Sequence, residues 1–170
     1  MKVLISAGHS DKDPGAVYKG ITEASIVTEF RDLLVARLKK ETKHTIVSDG
    51  LPGKNLPLDH AITLAKVCDI AIEFHCNAGK GTGIEVLSKR SGVLLSQKIA
   101  KCISDATGLK LRGDKGWKAP DSGQHKKLGF CEAGGAIVEL FFIDNEKDMK
   151  QYNDNKTKII DNLVNLFKGM

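Results

Sequence analysis

Two histidines stand where an apolar run gives way to small and polar residues. His75 follows residues 69–74, and His9 follows the short β-prone run 2–7. The carboxyl ends of neighbouring parallel strands lie at one edge of a sheet, so we expect the two imidazoles to lie near each other. There they could bind a metal ion or transfer protons. For His75, a buried ring that hydrogen bonds to a backbone carbonyl is the structural alternative.

Two carboxylates could join these histidines. Glu139 is the one charged residue in the apolar run 136–143. Burying an unpaired carboxylate costs several kcal/mol, so a functional or metal-bound role is favoured for it. Glu23 falls in the first turn of a helix that Thr22 is predicted to cap. Its charge either complements the helix dipole or points back towards His9.

Two imidazoles and one carboxylate form the three-ligand pattern of a catalytic zinc site, with the fourth position left for water. Zinc lowers the pKa of bound water to about 7, and a separate carboxylate must then transfer the proton to a leaving amine. Glu139 fits this role because apolar surroundings raise the pKa of a carboxyl group. The residues therefore favour hydrolysis of an amide or ester, with Zn²⁺ as the cofactor.

The predicted elements alternate between strands and helices. Strands are expected at residues 2–7, 44–48, 69–75, 84–87 and 136–143, and helices at 22–38, 56–66, 92–106 and 157–167. The irregular segment 109–131 is expected to form a wall of the site. This alternation predicts an α/β fold in one domain, residues 1–170. We expect a mostly parallel, twisted central sheet of about six strands, flanked by helices on both faces.

Composition narrows the possible partners. The chain has 170 residues, 41% hydrophobic content and a formal net charge of +5. No apolar run approaches the ~18 residues of a membrane span, so no stable membrane insertion is expected. The positive charge favours a polyanion, but it is scattered and no nucleic-acid motif accompanies it. Four cysteines without metal-type spacing predict free thiols: Cys68, Cys76, Cys102 and Cys131.

Four segments in order resemble the Amidase_3 family of zinc-dependent N-acetylmuramoyl-L-alanine amidases. They are residues 5–16, Glu23 at a helix start, residues 74–78 and residues 138–145, and together they span almost the whole chain. The resemblance implies that His9, Glu23 and His75 bind zinc and that Glu139 is the catalytic carboxylate. It also implies cleavage of the amide between the lactyl group of N-acetylmuramic acid and L-alanine of the peptidoglycan stem peptide.

The resemblance also suggests substrate-binding residues. Residues 111–118 look like the Arg-Gly segment that lines the family's cleft, which makes Arg112 and Trp117 candidates. Asn77 matches a small polar loop after the second zinc histidine and is expected to orient the bound peptide.

Three features depart from the family pattern. Cys76 stands where the family often has alanine, and strand alternation predicts that its thiol points into the core. Glu73 replaces a small polar residue on the face of His75, where it either supports a ligand histidine or forms only a salt bridge. The turn between His75 and Ile84 is short. Relatives controlled by a blocking helix carry it as an insertion here, so no such inhibition is expected.

The biological setting is inferred from the same resemblance. The N-terminal apolar run is too short for a signal peptide, and no wall-binding repeat is evident. These features resemble a phage endolysin, a monomer made in the host cytoplasm that reaches peptidoglycan through a holin. The alternatives are a host wall amidase of division, sporulation or germination, a zinc peptidase, and a non-catalytic wall-binding module on the same fold.

Overall fold

Eight strands are present in the computed structural model, which describes residues 1–122 and 128–170. In chain order they are β1 (Lys2–Ala7), β2 (Val17–Tyr18), β3 (Ile21–Thr22), β4 (Thr45–Ser48), β5 (Ile70–Asn77), β6 (Glu85–Leu87), β7 (Trp117–Lys118) and β8 (Ala136–Phe142). Six of them form one sheet in the order β4-β1-β5-β8-β6-β7, and β2 pairs with β3. Strands β4, β1, β5 and β8 are parallel, whereas β6 runs antiparallel to β8.

Five helices cover the sheet: α1 (Glu23–Glu41), α2 (Leu58–Ala65), α3 (Val93–Thr107), α4 (Gly129–Glu132) and α5 (Glu146–Lys168). Helices α1, α3 and α5 bury one face of the sheet, and α2 and α4 bury part of the other. The predicted α/β class and mostly parallel six-stranded sheet with helices on both faces are therefore confirmed. Within the described residues, no helix combines the length and apolar character needed to cross a membrane.

Helix α1 begins where the sequence predicts. The Thr22 side chain accepts a hydrogen bond from the Ser25 N–H at 3.2 Å, which caps the first turn. Behind it, Val27, Phe30 and Leu34 are fully buried at helical spacing against the sheet. This packing fixes the start of the helix, and with it Glu23, beside the carboxyl edge of β1 and β5.

Helix α5 is longer than predicted. Asn145 caps it by accepting hydrogen bonds from the N–H groups of Lys147 and Asp148, both at 3.1 Å, so the helix starts at Glu146. Its first half is mostly polar and shows little apolar periodicity, although Tyr152 is buried there. Apolar periodicity in the sequence therefore predicted only the second half of α5, which contributes most of the buried side chains of this helix.

The segment 109–131 is more regular than predicted. It contains β7, the edge strand of the sheet, and most of the short helix α4. A two-residue strand carries too little alternation to be visible in sequence. Residues 123–127 of the predicted site wall lie outside the described residues.

Candidate metal centre

Three elements bring the predicted metal ligands together at the carboxyl edge of the sheet. His9 follows β1, Glu23 is the first residue of α1, and His75 lies near the end of β5. One ligand atom from each lies within 4.8 Å of the other two. The Glu23 Oε1 atom is 3.1 Å from both His9 Nε2 and His75 Nδ1.

Two glycines make this close approach possible. A Cβ atom at Gly8 would lie 2.1 Å from the His75 ring, inside van der Waals contact. A Cβ atom at Gly15, where φ is +64°, would lie 2.6 Å from the His9 ring and 2.7 Å from Glu23 Oε2. A side chain at either position would therefore displace a candidate ligand.

Each imidazole is also held on its far side by a second carboxylate. His9 Nδ1 lies 3.0 Å from Asp13 Oδ2, and His75 Nε2 lies 3.1 Å from Glu73 Oε1. The nitrogen that faces Glu23 in each ring is thus the one available to a metal. Two imidazole nitrogens backed by carboxylates and one carboxylate oxygen form a donor set that fits Zn²⁺.

The electrostatics of the cluster suit a cation. Burial opposes ionisation of Glu23, but hydrogen bonds from His75 and His9 outweigh it and lower the Glu23 pKa. Burial likewise lowers the His75 pKa, but Glu23 and Glu73 raise it well above its usual value. The pKa of His9 is raised for the same reason, by Glu23 and Asp13 against the effect of burial. The carboxylates around the two rings therefore favour positive charge at this position.

Glu139 lies next to this cluster. It pairs with His75 across the β5–β8 ladder, so both side chains lie on the same face of the sheet. Its Oε2 atom is buried and has no hydrogen-bond partner among the described residues. Burial raises the pKa of Glu139 to about 7, with His75 lowering it and Glu23 raising it by smaller amounts. This carboxyl group therefore changes protonation near neutral pH.

A cavity of 200 Å³ opens beside the cluster. His9, Glu73 and His75 are among the polar residues that line it. The apolar lining residues are Leu58, Leu128, Phe130 and Ile137. A concave site with few convergent polar groups and an apolar wall is typical of a small-ligand pocket.

A carboxylate that the sequence analysis did not select, Glu85, brings two predicted substrate-binding residues together. Asn77 Nδ2 donates to Glu85 Oε1 at 3.1 Å, and the guanidinium of Arg112 pairs with Glu85 Oε2. Lys118 Nζ also pairs with Glu85, at 2.8 Å. Glu85 is the partner of Glu139 across β6 and β8. The sequence did contain an indication that Glu85 has a special role, because it is the one charged residue in the predicted strand 84–87.

Trp117 lies apart from the candidate metal ligands. Its indole N–H donates to the Ser88 carbonyl oxygen at 3.0 Å, and its ring lines a second cavity of 390 Å³ beside Lys89, Arg90 and Pro120. Trp117 does not line the cavity at His75, as far as the described residues show. A substrate role for it stays a prediction.

All four cysteines are free thiols, as the sequence predicts. Cys76 is 4% exposed and packs in the core between the sheet and helix α1, while its backbone N–H donates to Glu23 at 2.9 Å. None of the four cysteines forms a disulfide, and all four lie within the described ranges. The Cys76 thiol is therefore directed into this core, as strand alternation predicts.

These features define a class: an α/β protein with a candidate divalent-metal centre at the carboxyl edge of a mostly parallel sheet. The family model of Amidase_3, described as N-acetylmuramoyl-L-alanine amidase, matches residues 3–165. The chain belongs to this family. A comparison with curated proteins found no match.

Solved structures agree with the family assignment. A protein from Neisseria meningitidis, described by assignment as an N-acetylmuramoyl-L-alanine amidase, is 36% identical, with a TM-score of 0.88 over 96% of this chain and 92% of its own. The catalytic domain of the amidase CwlV from Bacillus (Paenibacillus) polymyxa var. colistinus is 20% identical, with a TM-score of 0.80 over 96% and 94%. The catalytic domain of CD27L, an endolysin targeting Clostridia difficile, is 22% identical, with a TM-score of 0.67 over 97% of each chain. The last two show similarity of fold.

Proposed function

We propose that the protein is a zinc-dependent N-acetylmuramoyl-L-alanine amidase. Its reaction is hydrolysis of the amide between the lactyl group of N-acetylmuramic acid and L-alanine of the stem peptide. One observation carries the proposal: His9, Glu23 and His75 converge beside Glu139, in a chain that belongs to this family.

His9 Nε2, Glu23 and His75 Nδ1 would hold the ion, because these atoms face one another and the remaining ring nitrogens are engaged by carboxylates. Zinc supplies Lewis-acid polarisation of a carbonyl and lowers the pKa of a water molecule to about 7. The acidic surroundings of the two imidazoles favour binding of a dication over binding of an anion at this position.

Glu139 carries the proton transfers in this proposal. Its carboxylate accepts a proton from the attacking water as the new carbon–oxygen bond forms. The carboxyl group then donates that proton to the amide nitrogen as the carbon–nitrogen bond breaks, leaving a carboxylic acid and a free amine. A pKa of about 7 suits both steps, because neither protonation state is strongly favoured at neutral pH.

Substrate binding is assigned to the surfaces around these residues. Arg112 and Asn77 both contact Glu85, which pairs with Glu139 across β6 and β8. In this position they can contact the stem peptide. Trp117 would contact a more distant part of the polymer, since it lines a separate cavity. The net charge of +5 favours retention on an acidic wall.

The test is digestion of purified peptidoglycan, with and without a chelator, followed by analysis of the new ends. We expect free L-alanine amino groups, no new reducing sugars, and loss of activity on chelation that Zn²⁺ restores. New reducing ends would indicate a glycosidase, and release of D-alanine a peptidase. Binding without cleavage by the zinc-loaded protein would indicate a wall-binding module.

The biological role forms a second, finer proposal: a lytic enzyme of the phage endolysin type, with residues 1–170 as one monomeric catalytic domain. The turn between β5 and β6 is short, and Asp144 fastens it by accepting hydrogen bonds from the N–H groups of Gly79 and Lys80. In the part of the chain that the structure describes, no helix lies between β5 and β6, where a blocking helix would be inserted.

The matching experiment expresses the chain in bacteria with and without a holin. For a lytic enzyme controlled by access, we expect lysis only with the holin. Growth defects without a holin, or normal growth in both cases despite active purified protein, would favour a host wall amidase.

A further inference from the structure

A network of buried polar side chains lies behind the candidate metal centre. Arg31 on helix α1 is fully buried, as are Asp49, Ser6 and Glu73 to within 1% exposure. The Arg31 Nη1 atom donates to Asp49 Oδ1 at 3.0 Å. Burial of so many polar groups is unfavourable unless each finds partners, so the network calls for an explanation beyond packing.

One branch of this network ends at His75. The Ser6 hydroxyl donates to Asp49 Oδ2 at 2.6 Å and lies 3.2 Å from Glu73 Oε2. The other oxygen of Glu73 accepts from His75 Nε2 at 3.1 Å. A continuous path of side-chain contacts therefore joins Arg31 to the imidazole, through Asp49, Ser6 and Glu73.

The second branch ends at the backbone of His9. Arg31 Nη1 donates to Asn55 Oδ1 at 2.7 Å, and Asn55 Nδ2 donates to the carbonyl oxygens of Ala7 and His9, both at 2.6 Å. The Nη2 atom of Arg31 donates to the carbonyl oxygens of Leu51 and Lys54. The Nε atom donates to Asp32 Oδ1 at 2.8 Å, so every nitrogen of the guanidinium has a partner, which makes it a rigid hub.

We propose that Glu73 and Arg31 are positioning residues of the metal centre. Glu73 accepts from the Nε2–H of His75 so that Nδ1 points at Glu23. Arg31 acts on Glu73 through Asp49 and Ser6, and on the backbone of His9 through Asn55. This inference rests on the proposed zinc site. It extends that proposal by assigning the orientation of His75 and the backbone position of His9 to one buried group, the guanidinium of Arg31.

Glu73 is placed to orient the ring rather than to bind the ion itself. It meets Nε2, on the side of the ring opposite the nitrogen that faces Glu23. Backbone atoms of Gly8 crowd the same ring, so rotation is restricted on that side also. Carboxylates behind ligand histidines contribute about 10- to 100-fold to metal affinity in other proteins.

The test measures zinc affinity of the purified full chain by chelator competition at one pH. Glu73→Gln preserves size but weakens the charge-assisted hydrogen bond, and we expect about 10- to 100-fold weaker binding. Arg31→Lys keeps the charge, but a lysine cannot hydrogen bond to Asp49, Asn55 and two carbonyl oxygens at once. We expect a smaller loss of zinc affinity in this variant. Wild-type affinity in Glu73→Gln would overturn the proposal.

Asp148→Asn is the matched control. Asp148 is also fully buried and accepts hydrogen bonds from Thr82 Oγ1 at 2.6 Å and the Gly83 N–H at 2.9 Å. Its hydrogen bonds in the described part of the chain include none to the three candidate ligands. We expect a lower melting temperature with unchanged zinc affinity. An equal loss of affinity in this control would show that general destabilisation is responsible.

Cobalt substitution separates positioning from ligation. We expect the Co²⁺-loaded Glu73→Gln variant to keep the visible absorption of the wild type, because its ligand atoms are unchanged, whereas Glu23→Gln should alter it. A changed spectrum in Glu73→Gln would make Glu73 a ligand and overturn the assignment. If Glu73→Gln does not fold, Ser6→Ala breaks the same branch, and unchanged zinc affinity there would also overturn it. Failure of the wild type to bind zinc would instead contradict the proposed function.

Discussion

At the scale of single residues, the site depends on which carboxylates are ionised. Glu23 accepts hydrogen bonds from both imidazoles and from the Cys76 N–H, so its charge is strongly stabilised. Glu139 has an oxygen with no partner in the described residues, so its charge is disfavoured. Glu23 and Glu139 thus favour opposite protonation states because their immediate partners differ.

Glu139→Gln is expected to retain zinc and to lose most activity, by about 10²- to 10⁴-fold, because it removes the proton-transfer group. Peptidoglycan assays and metal analysis of the same sample measure both effects. Loss of zinc from the variant would instead make Glu139 a ligand.

The same variant should change stability in a pH-dependent way. The pKa of Glu139 rises from 4.5 to about 7 on folding, so the neutral form is favoured in the folded state. Its contribution is fully present below pH 4.5 and is lost as the pH rises to about 7. We therefore expect metal-free Glu139→Gln to gain about 2 to 3 kcal/mol over the wild type between pH 4.5 and pH 8. Urea unfolding at both pH values measures this gain, and equal differences at both would contradict it.

Zinc affinity should increase with pH. The raised pKa values of His9 and His75 mean that protons must leave the rings before zinc binds. These protons stabilise the metal-free protein below pH 6.5, and this stabilisation disappears as the pH rises through the raised values. Calorimetric titration with Zn²⁺ in buffers of different ionisation enthalpy should detect proton release at pH 7. Binding without proton release would contradict protonated imidazoles in the metal-free state.

At the scale of elements, the site depends on where β1, β5 and α1 end or begin. Helix α1 contributes a candidate ligand from its first residue, so we expect its N-terminal cap to affect both the helix and the candidate metal centre. Glu23 lies next to this cap, and the N–H of Ala16 donates to Glu23 Oε2 at 3.0 Å. The loop after β1 and the first turn of α1 therefore stabilise each other's conformation.

Thr22→Ala tests this coupling. We expect a loss of about 1 kcal/mol in the free energy of unfolding, because the hydrogen bond to the Ser25 N–H disappears. Weaker zinc binding should accompany it, since fraying of the first turn releases Glu23. Thr63→Ala in α2 serves as the control. Among the described residues, the hydroxyl that it removes bonds only within its own helix, to the Asp59 carbonyl. Equal zinc affinities in Thr22→Ala and Thr63→Ala would show that the helix cap does not affect zinc binding.

At the scale of the whole molecule, a bound ion would join segments far apart in the sequence. The candidate ligands come from the loop after β1, from α1 and from β5, which pack on one another through the core. A ligand that binds only the folded state stabilises it in proportion to its saturation. The metal centre is therefore expected to act on global stability as well as on catalysis.

At a free Zn²⁺ concentration 100 times the dissociation constant, we expect about 2.7 kcal/mol of added stability. For a chain of this length, that corresponds to a rise in melting temperature of roughly 5 to 10 °C. Thermal unfolding with zinc and with chelator measures the shift. A variant that lacks the candidate ligand His75, such as His75→Ala, should show no shift, and a shift of equal size there would place the ion elsewhere.

Much of this molecule could be predicted from sequence because the relevant signals are local. Alternation of apolar runs gave the α/β class, and a lone charge in an apolar strand identified Glu139. Short or polar elements were missed: β7 has two residues, and the first half of α5 carries few apolar side chains. Residues at strand ends could be placed at one sheet edge because parallel strands share their direction.

The sequence by itself determined the types of donor and the strand ends from which they project, since these follow from periodicity and side-chain chemistry. Only the tertiary structure decided which nitrogen of each imidazole faces Glu23, and which carboxylate backs it. It also showed that Arg31, Asp49 and Ser6 meet behind His75, although they lie on a helix, after one strand and within another. Such contacts depend on distances between segments far apart in the chain, and no local pattern in the sequence records them.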